Sequence, residues 1–339
     1  MRVGVIGLAS AYWPAALAEC VRSYPGAELV AAAALGRDEH TLQVTLGLTR
    51  EQYAARFGVK IYEDLTEMIR KEGLEACVLQ EQHSRIVEYV EQAAPLGVHL
   101  YIAKPMAVNG RDADRIVEAV KRAGILAVSG MTERMDGAIR AVYERVQEGA
   151  IGEVLTLHAL HQHGYFSFHP EDWWNRPEEG GPELSLMWYT GDVVSWFAGS
   201  RARKVYAAYR NYLSPHQPFF DQAKALIDFE NGVMASCNLY FSVQWRFPFM
   251  ELEVVGSKGI LRTRQDNYEA WLFTAQGVEA FHRNDNDRLR AEVHNWLSAC
   301  QGKGEPFITI EDARKAIALC LACRESARTG QALPVTDAP

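Results

Sequence analysis

Three stretches of this 339-residue chain carry side chains whose type and spacing could do chemistry. The first is the opening. An apolar run, Val3 to Ile6, ends at Gly7 and continues Leu8-Ala9-Ser10-Ala11-Tyr12. A strand running into a glycine turn is a phosphate-binding arrangement when a helix follows, because the helix N-terminus offers unpaired N–H groups. Pro14 marks that helix start. The N–H groups of Ala9 to Ala11 and the Ser10 hydroxyl could therefore face a phosphate. Of the spacing Gly-x-Gly-x-x-Gly only Gly7 is kept, with Ala9 and Tyr12 at the other positions. An Ala methyl is a mild obstruction, whereas a Tyr fits only if the helix begins later.

The second stretch, His-Pro-Glu-Asp-Trp-Trp-Asn-Arg-Pro-Glu-Glu-Gly-Gly over 169–181, is dense in Trp, Arg and acid. Aromatic faces beside directed polar groups suit a carbohydrate-like polyol, and Trp174 or Arg176 could form part of its wall. The third is His158, His161 and His163. On a strand, alternation puts His161 and His163 on one face and His158 on the other. No Cys or carboxylate is spaced to complete a metal site, so none is expected. Cys320 and Cys323 share one face of a helical run and read as core. No Gly-x-Ser-x-Gly nucleophile motif is present.

Composition narrows the classes. The formal charge of −8 argues against general nucleic-acid or anionic-membrane binding. Six scattered cysteines in apolar contexts fit reduced thiols. With no long apolar run and no signal-peptide pattern, a cytoplasmic location is expected.

The elements that must position these groups fall into two textures. Up to residue 130, short apolar strands (Val3–Ile6, Glu28–Ala33, Ala76–Leu79, His99–Ile102, Leu126–Ser129) alternate with amphipathic stretches at Pro14–Tyr24, Leu65–Lys71, Ile86–Ala94 and Asp112–Ala123. That rhythm predicts a parallel sheet covered on both faces, with ligands at the carboxyl ends of the strands, here Gly7, Ala34, Gln80 and Ala103. From 131 to 339 a helix at Asp136–Gly149 is followed by successive strands without helices between them, with Asn231-Gly232 as a hairpin signal. An open, mostly antiparallel sheet is expected, closed by helices at Arg288–Gln301 and Ile310–Thr329.

This order resembles the Gfo/Idh/MocA oxidoreductase family. The resemblance is carried by YIAKPMAVN (101–109), GGPELSLMWYTGDVVSWFAG (180–199), ALIDFENGVMASC (225–237), MELEVVGSKGIL (250–261) and the helix-bearing stretch 305–335. It implies an N-terminal Rossmann-like doubly wound domain over 1–130 that binds a dinucleotide. A C-terminal α+β domain over 131–339 would bind substrate and form a homodimer or homotetramer. The family's Glu-Lys-Pro corresponds to Ala103-Lys104-Pro105, so the lysine is kept and the acid lost. Its Asp-x-x-x-His corresponds to Ser185 and Tyr189, the acid again missing. Lys104 and Tyr189 are thus the implied catalytic pair. A cation there stabilises a developing alkoxide, and a phenol whose pKa is depressed by Lys104 can move a proton. Without a neighbouring carboxylate, the pKa of Lys104 is expected to be lowered. Ser185 is implied to face the substrate cleft with Tyr189, and Asp192, further along the same helix, is expected either to bind a substrate hydroxyl or to cap local backbone.

For the cofactor, Gly7, Ala9, Ser10, Ala11 and Lys104 are the implied contacts, with His83 or Glu81 near the nicotinamide ribose. No acid follows Glu28–Ala33 before Asp38, and Arg37 stands nearby. NADP is therefore favoured over NAD. The expected activity is hydride transfer between NAD(P) and a sugar, polyol or related hydroxy or carbonyl compound. The alternatives are a catalytically impaired ligand- or partner-binding member of the fold, or an NAD-dependent hydrolase or lyase.

Overall fold

The structure is a computed structural model that describes residues 1–164, 173, 176–185, 187–213, 219–243, 249–264, 268–283 and 286–336. Its first half alternates as expected: β1 (Arg2–Ile6), α1 (Trp13–Arg22), β2 (Glu28–Ala33), α2 (Glu39–Thr45), α3 (Arg50–Phe57), β3 (Lys60–Tyr62), α4 (Leu65–Glu72), β4 (Ala76–Leu79), α5 (Ile86–Ala93), β5 (His99–Ile102), α6 (Gly110–Ala123) and β6 (Ala127–Ser129). Two short helices and β3 were not expected from the sequence. The Lys60–Tyr62 strand is short and half-exposed, so it shows little apolar patterning.

These strands form one parallel sheet in the order β3-β2-β1-β4-β5-β6. The chain builds outward from β1 on one side, then returns and builds outward on the other. Between β1 and β4 the two crossover directions part, leaving a crevice at their carboxyl ends. Backbone pairs carry the ladder just past the strands: Gly7 N–H donates to Ala33 O at 3.0 Å and Ala103 N–H to Leu79 O at 2.9 Å.

After a 3₁₀ turn (Thr132–Met135) and α7 (Gly137–Gln147) come β7 (Val154–Gly164), α8 (Gly181–Ser185) and α9 (Met187–Ala198). A run of strands follows: β8 (Ala202–Arg210), β9 (Gln222–Phe229), β10 (Met234–Val243), β11 (Met250–Gly256), β12 (Gly259–Arg264), β13 (Glu269–Thr274) and β14 (Gly277–Arg283). The chain closes with α10 (Arg288–Cys300), α11 (Ile310–Thr329) and β15 (Leu333–Pro334). The second sheet runs β14-β13-β12-β11-β7-β10-β9-β8-β15 and is antiparallel except where β10 lies parallel to β7. Strand alternation decides its faces. In β9, Ala223, Ala225, Ile227 and Phe229 are buried under the helices, while Lys224 and Leu226 point outward.

The division at residue 130 marks the end of the first sheet, but not of the packing around it. Leu289, Val293, Trp296 and Leu297 of α10 join the same buried cluster as Val3, Val5 and Leu17. All six cysteines are free thiols, and Cys320 and Cys323 are buried on α11.

Candidate active site

Gly7 sits at φ +88°, and a Cβ there would lie 2.0 Å from the backbone oxygen of Gln80. Only glycine lets β1 and β4 approach this closely. Ala9 and Ser10 are buried behind the turn, whereas Ala11 and Tyr12 are exposed. The helix does begin late. Tyr12 is the N-cap, makes no side-chain cap bond, and Pro14 lies in the first turn. Tyr12 therefore points outward against Trp13 rather than into the crevice, and the first N–H groups of α1 lack a side-chain cap. The turn retains the shape and donors that a pyrophosphate needs.

Around it, the carboxyl end of β4 supplies Glu81 and His83. The His83 Nδ1–H donates to the Glu179 carbonyl at 2.9 Å, and the ring meets Trp173 edge-on at 4.8 Å. Burial pushes its pKa down to about 3, so the ring is neutral with Nε2 as its acceptor. Trp173 in turn donates its indole N–H to the Ala9 carbonyl. Glu179 accepts from both the N–H and hydroxyl of Ser84, at 3.0 and 2.7 Å. Trp173 and Glu179 of the second half are thereby fastened to the crevice of the first. Arg37 reaches the same place, donating to buried Glu81 at 2.7 Å and to Gln82 at 3.2 Å.

Lys104 follows β5 and is buried at 8% exposure. Its ammonium donates to the carbonyl of Ser185 at 2.9 Å and lies 4.9 Å from the centre of the Tyr189 ring. Residues from the two halves thus converge, as the sequence implied. Burial pushes Lys104 down to about 7, with Glu133 opposing the shift. Tyr189 behaves differently from expectation. Burial first, then the charge of Glu133, raise its pKa, so Lys104 does not depress it. The cation faces the ring, which is a cation–π contact, and a buried phenol holds its proton.

The acid that the resemblance would place at Ser185 is not replaced by the serine side chain. Ser185 Oγ donates back to Gly181 O at 3.0 Å, and it is the carbonyl that anchors Lys104. Gly180 at φ +93°, with its carbonyl held by Arg324 Nη2 at 2.9 Å, turns the chain into α8 and delivers that carbonyl. Asp192 is not available for a substrate hydroxyl as expected. Both of its oxygens accept from Arg134, at 2.6 and 2.8 Å, in a pair that is 3% and 7% exposed. Arg134 also donates to Asp312 at 3.2 Å. This is a structural ion pair, and Arg134→Met is expected to cost about 3–5 kcal/mol in urea unfolding, because two acids lose their shared partner. Arg176 has an exposed side chain, and Trp174 lies outside the described residues.

Three groups that the motifs did not point to complete the cleft. Glu133 is fully buried and accepts from Arg288 Nη1 at 3.0 Å. Arg288 covers the Phe249 ring at 4.1 Å. His161, read above only for metal binding, stacks parallel to Tyr189 at 5.1 Å and to His163 at 5.9 Å. It is fully buried, neither ring nitrogen has a hydrogen-bond partner among the described residues, and burial holds its pKa well below the usual value. A charged pair soon after an apolar strand, Glu133-Arg134, was the available signal for Glu133.

Two family models match the chain, one described as the oxidoreductase family, NAD-binding Rossmann fold, over residues 1–130, the other as the GFO/IDH/MocA C-terminal domain over 139–262. The chain belongs to the GFO/IDH/MocA family of oxidoreductases. Inositol 2-dehydrogenase 3 of Saccharopolyspora erythraea is 25% identical, over 99% of this chain and 95% of that protein. The 1,5-anhydro-D-fructose reductase of Ensifer adhaerens is 24% identical, over 84% and 86%. Among solved structures, an Agrobacterium radiobacter oxidoreductase in complex with NAD+, L-tartaric acid and magnesium superposes with a TM-score of 0.84 at 20% identity, over 99% and 98% of the chains. Within this GFO/IDH/MocA member, residues 1–130 match an NAD-binding Rossmann fold, and the crevice between β1 and β4 lies at the carboxyl ends of its strands. Gly7 and the capless start of α1 fit the cofactor's phosphates, and His83 and Lys104 stand further along the same edge.

Proposed function

We propose that this oxidoreductase interconverts a hydroxyl and a carbonyl on a sugar, polyol or related small molecule, with NAD(P) as hydride partner. The supporting observation is Lys104. It is a buried cation at the end of β5, poised near neutrality, and held against Tyr189 from the other half. The nicotinamide, when bound, accepts or supplies the hydride. The chain's own residues handle everything else. In oxidation, neutral Lys104 takes the hydroxyl proton as the C–H electron pair leaves the same carbon. In reduction, its ammonium returns that proton to the oxygen. Tyr189, whose proton is held, orients the substrate oxygen and supports the cation through its ring face. Named relatives acting on inositol and anhydrofructose support the substrate class.

The test is direct. Purified protein titrated with NADH and NADPH should quench or enhance nicotinamide fluorescence, and a panel of polyols and sugars should give reduced nicotinamide absorbance. Failure to bind either nucleotide would leave a ligand- or partner-binding protein. Binding without net redox would favour the hydrolase or lyase reading.

NADP is proposed as the preferred form on the strength of Arg37 beside the end of β2. Because Glu81 already engages that guanidinium, Arg37→Ala should weaken NADPH by roughly tenfold at most and leave NADH unchanged. Equal losses for both nucleotides would reject this role. We place the chain in the cytoplasm as six free cysteines suggest; no described helix is long and apolar enough to cross a membrane. Tyr206, Leu226 and Met234 stand 46%, 62% and 59% exposed on the open sheet face, and a second copy of the chain is the proposed cover.

A further inference from the structure

The nucleotide crevice belongs to the first half, yet one residue of the second half makes three hydrogen bonds at its edge. Glu179 is 3% exposed. Its backbone carbonyl accepts the His83 Nδ1–H at 2.9 Å, and its two carboxylate oxygens accept the Ser84 N–H at 3.0 Å and the Ser84 hydroxyl at 2.7 Å. His83 and Ser84 open the 3₁₀ turn His83–Arg85 after β4, which runs straight into α5. Neither that turn nor α5 has a side-chain cap of its own. The first N–H groups of such a run need acceptors, and a carboxylate also suits the positive end of a helix. Here the acceptor arrives from ninety-five residues further along the chain. Glu179 is itself braced. Its N–H donates to Arg176 O at 3.0 Å, and the next carbonyl, of Gly180, is held by Arg324 at 2.9 Å.

The Glu179 carbonyl decides the state of the His83 ring. A carbonyl oxygen only accepts, so Nδ1 carries the proton. Burial disfavours a second proton, which leaves Nε2 as a bare acceptor. The Trp173 ring, edge-on at 4.8 Å, packs against the imidazole, and Trp173 itself is tied to the Ala9 carbonyl of the phosphate turn. An acceptor at this edge calls for a hydroxyl donor, and the ribose of a dinucleotide laid along β1 and β4 carries hydroxyls.

We propose that Glu179 is a positioning residue for the nucleotide: from the second half it locks His83 in the tautomer whose Nε2 accepts a ribose hydroxyl, which links the packing of the two halves to nucleotide affinity. It acts through His83 and touches no nucleotide atom. This inference deepens the oxidoreductase reading and rests on it for the identity of the ligand.

The test reads the ring and the nucleotide separately. In full-length protein labelled with ¹⁵N-histidine, the His83 ring signals are assigned by their absence in His83→Gln. In wild type they should show a protonated Nδ1 and a bare Nε2, without titration between about pH 6 and 9. Glu179→Ala should mix the two tautomers and raise the KM for NADH and for NADPH by roughly tenfold each, with a smaller effect on kcat. Glu179→Gln, whose amide still accepts from the Ser84 N–H and donates to its hydroxyl oxygen, should recover most of both. An unchanged tautomer, or an unmoved nucleotide KM, in folded Glu179→Ala overturns the proposal. Should Glu179→Ala fail to fold, Ser84→Ala decides, since it removes one of the two donors that the carboxylate holds. A partial tautomer mixture with KM raised about threefold supports the role, and wild-type behaviour in either overturns it. The ring signals need neither nucleotide nor turnover. Wild-type protein that binds neither NADH nor NADPH would therefore overturn the oxidoreductase reading separately.

Discussion

Lys104→Met should abolish turnover while making the protein more stable. Loss of the group that exchanges the substrate proton is expected to lower kcat by roughly 10³-fold or more. NADH or NADPH affinity should stay within about threefold, because the phosphate turn is untouched. The stability gain follows from the same burial. Lys104 has a folded pKa of about 7 against the ordinary 10.5, so the unfolded chain binds more protons between these values. Folding is penalised most below pH 7, and the penalty fades as pH rises from 7 toward the unfolded value. Replacing the ammonium by an apolar side chain should therefore raise Tm by several degrees at pH 6 and by less at pH 9. A drop in Tm at pH 6, or retained turnover, would count against both the assignment and its physical basis. The same midpoint fixes the wild-type pH profiles. Oxidation needs the neutral amine and should fall below about pH 7, whereas reduction needs the ammonium and should fall above it.

Gly7→Ala should be the most damaging single methyl in the first half. The new Cβ would meet the Gln80 carbonyl at 2.0 Å in a backbone region that L side chains avoid. Neither β1 nor β4 can retreat, since both lie centrally in the sheet with Gln80 N–H tied to Ile6 O at 2.9 Å. A loss of about 3 kcal/mol or more in denaturant unfolding is expected, with loss of nucleotide binding in whatever remains folded. Ala9→Gly, by contrast, should leave nucleotide affinity unchanged or improved, since Ala9 has the milder departure from the spacing. An Ala variant at position 7 as stable as wild type would mean that the turn is not built as described.

How much of this was legible in the sequence depended on what kind of signal each residue leaves. The strands β2, β4 and β5 appeared at their observed bounds because short apolar runs alternating with amphipathic stretches stand out as buried strands. The strand β14 was missed; it carries Val278 and Glu279 both exposed, so no alternation survives. Lys104 and Tyr189 were located through motif position, and their convergence is a tertiary fact that two-sided spacing could suggest. The ion pair of Asp192 was missed because sequence places it on the same helix as Tyr189 but cannot reveal that Arg134, fifty-eight residues earlier, already holds it. The pairing of Glu133 with Arg288 was invisible for the same reason, the two being distant in the chain and joined only by folding. Tyr189 was given the wrong direction of pKa shift, since burial outweighed a nearby cation, and burial is the quantity a lone sequence conveys least.

The return of α10 to the first sheet has a consequence for how this chain is made. Trp296 and Val293 are nearly absent from solvent only because they lie against residues from the opening strand and helix. A ribosome that has released the first 130 residues has exported a sheet with one flank bare, and that flank stays bare until residue 300 emerges. The nucleotide half is therefore not a detachable cassette. Moved alone into another protein, it would carry a sticky side and seek a substitute for the missing helix.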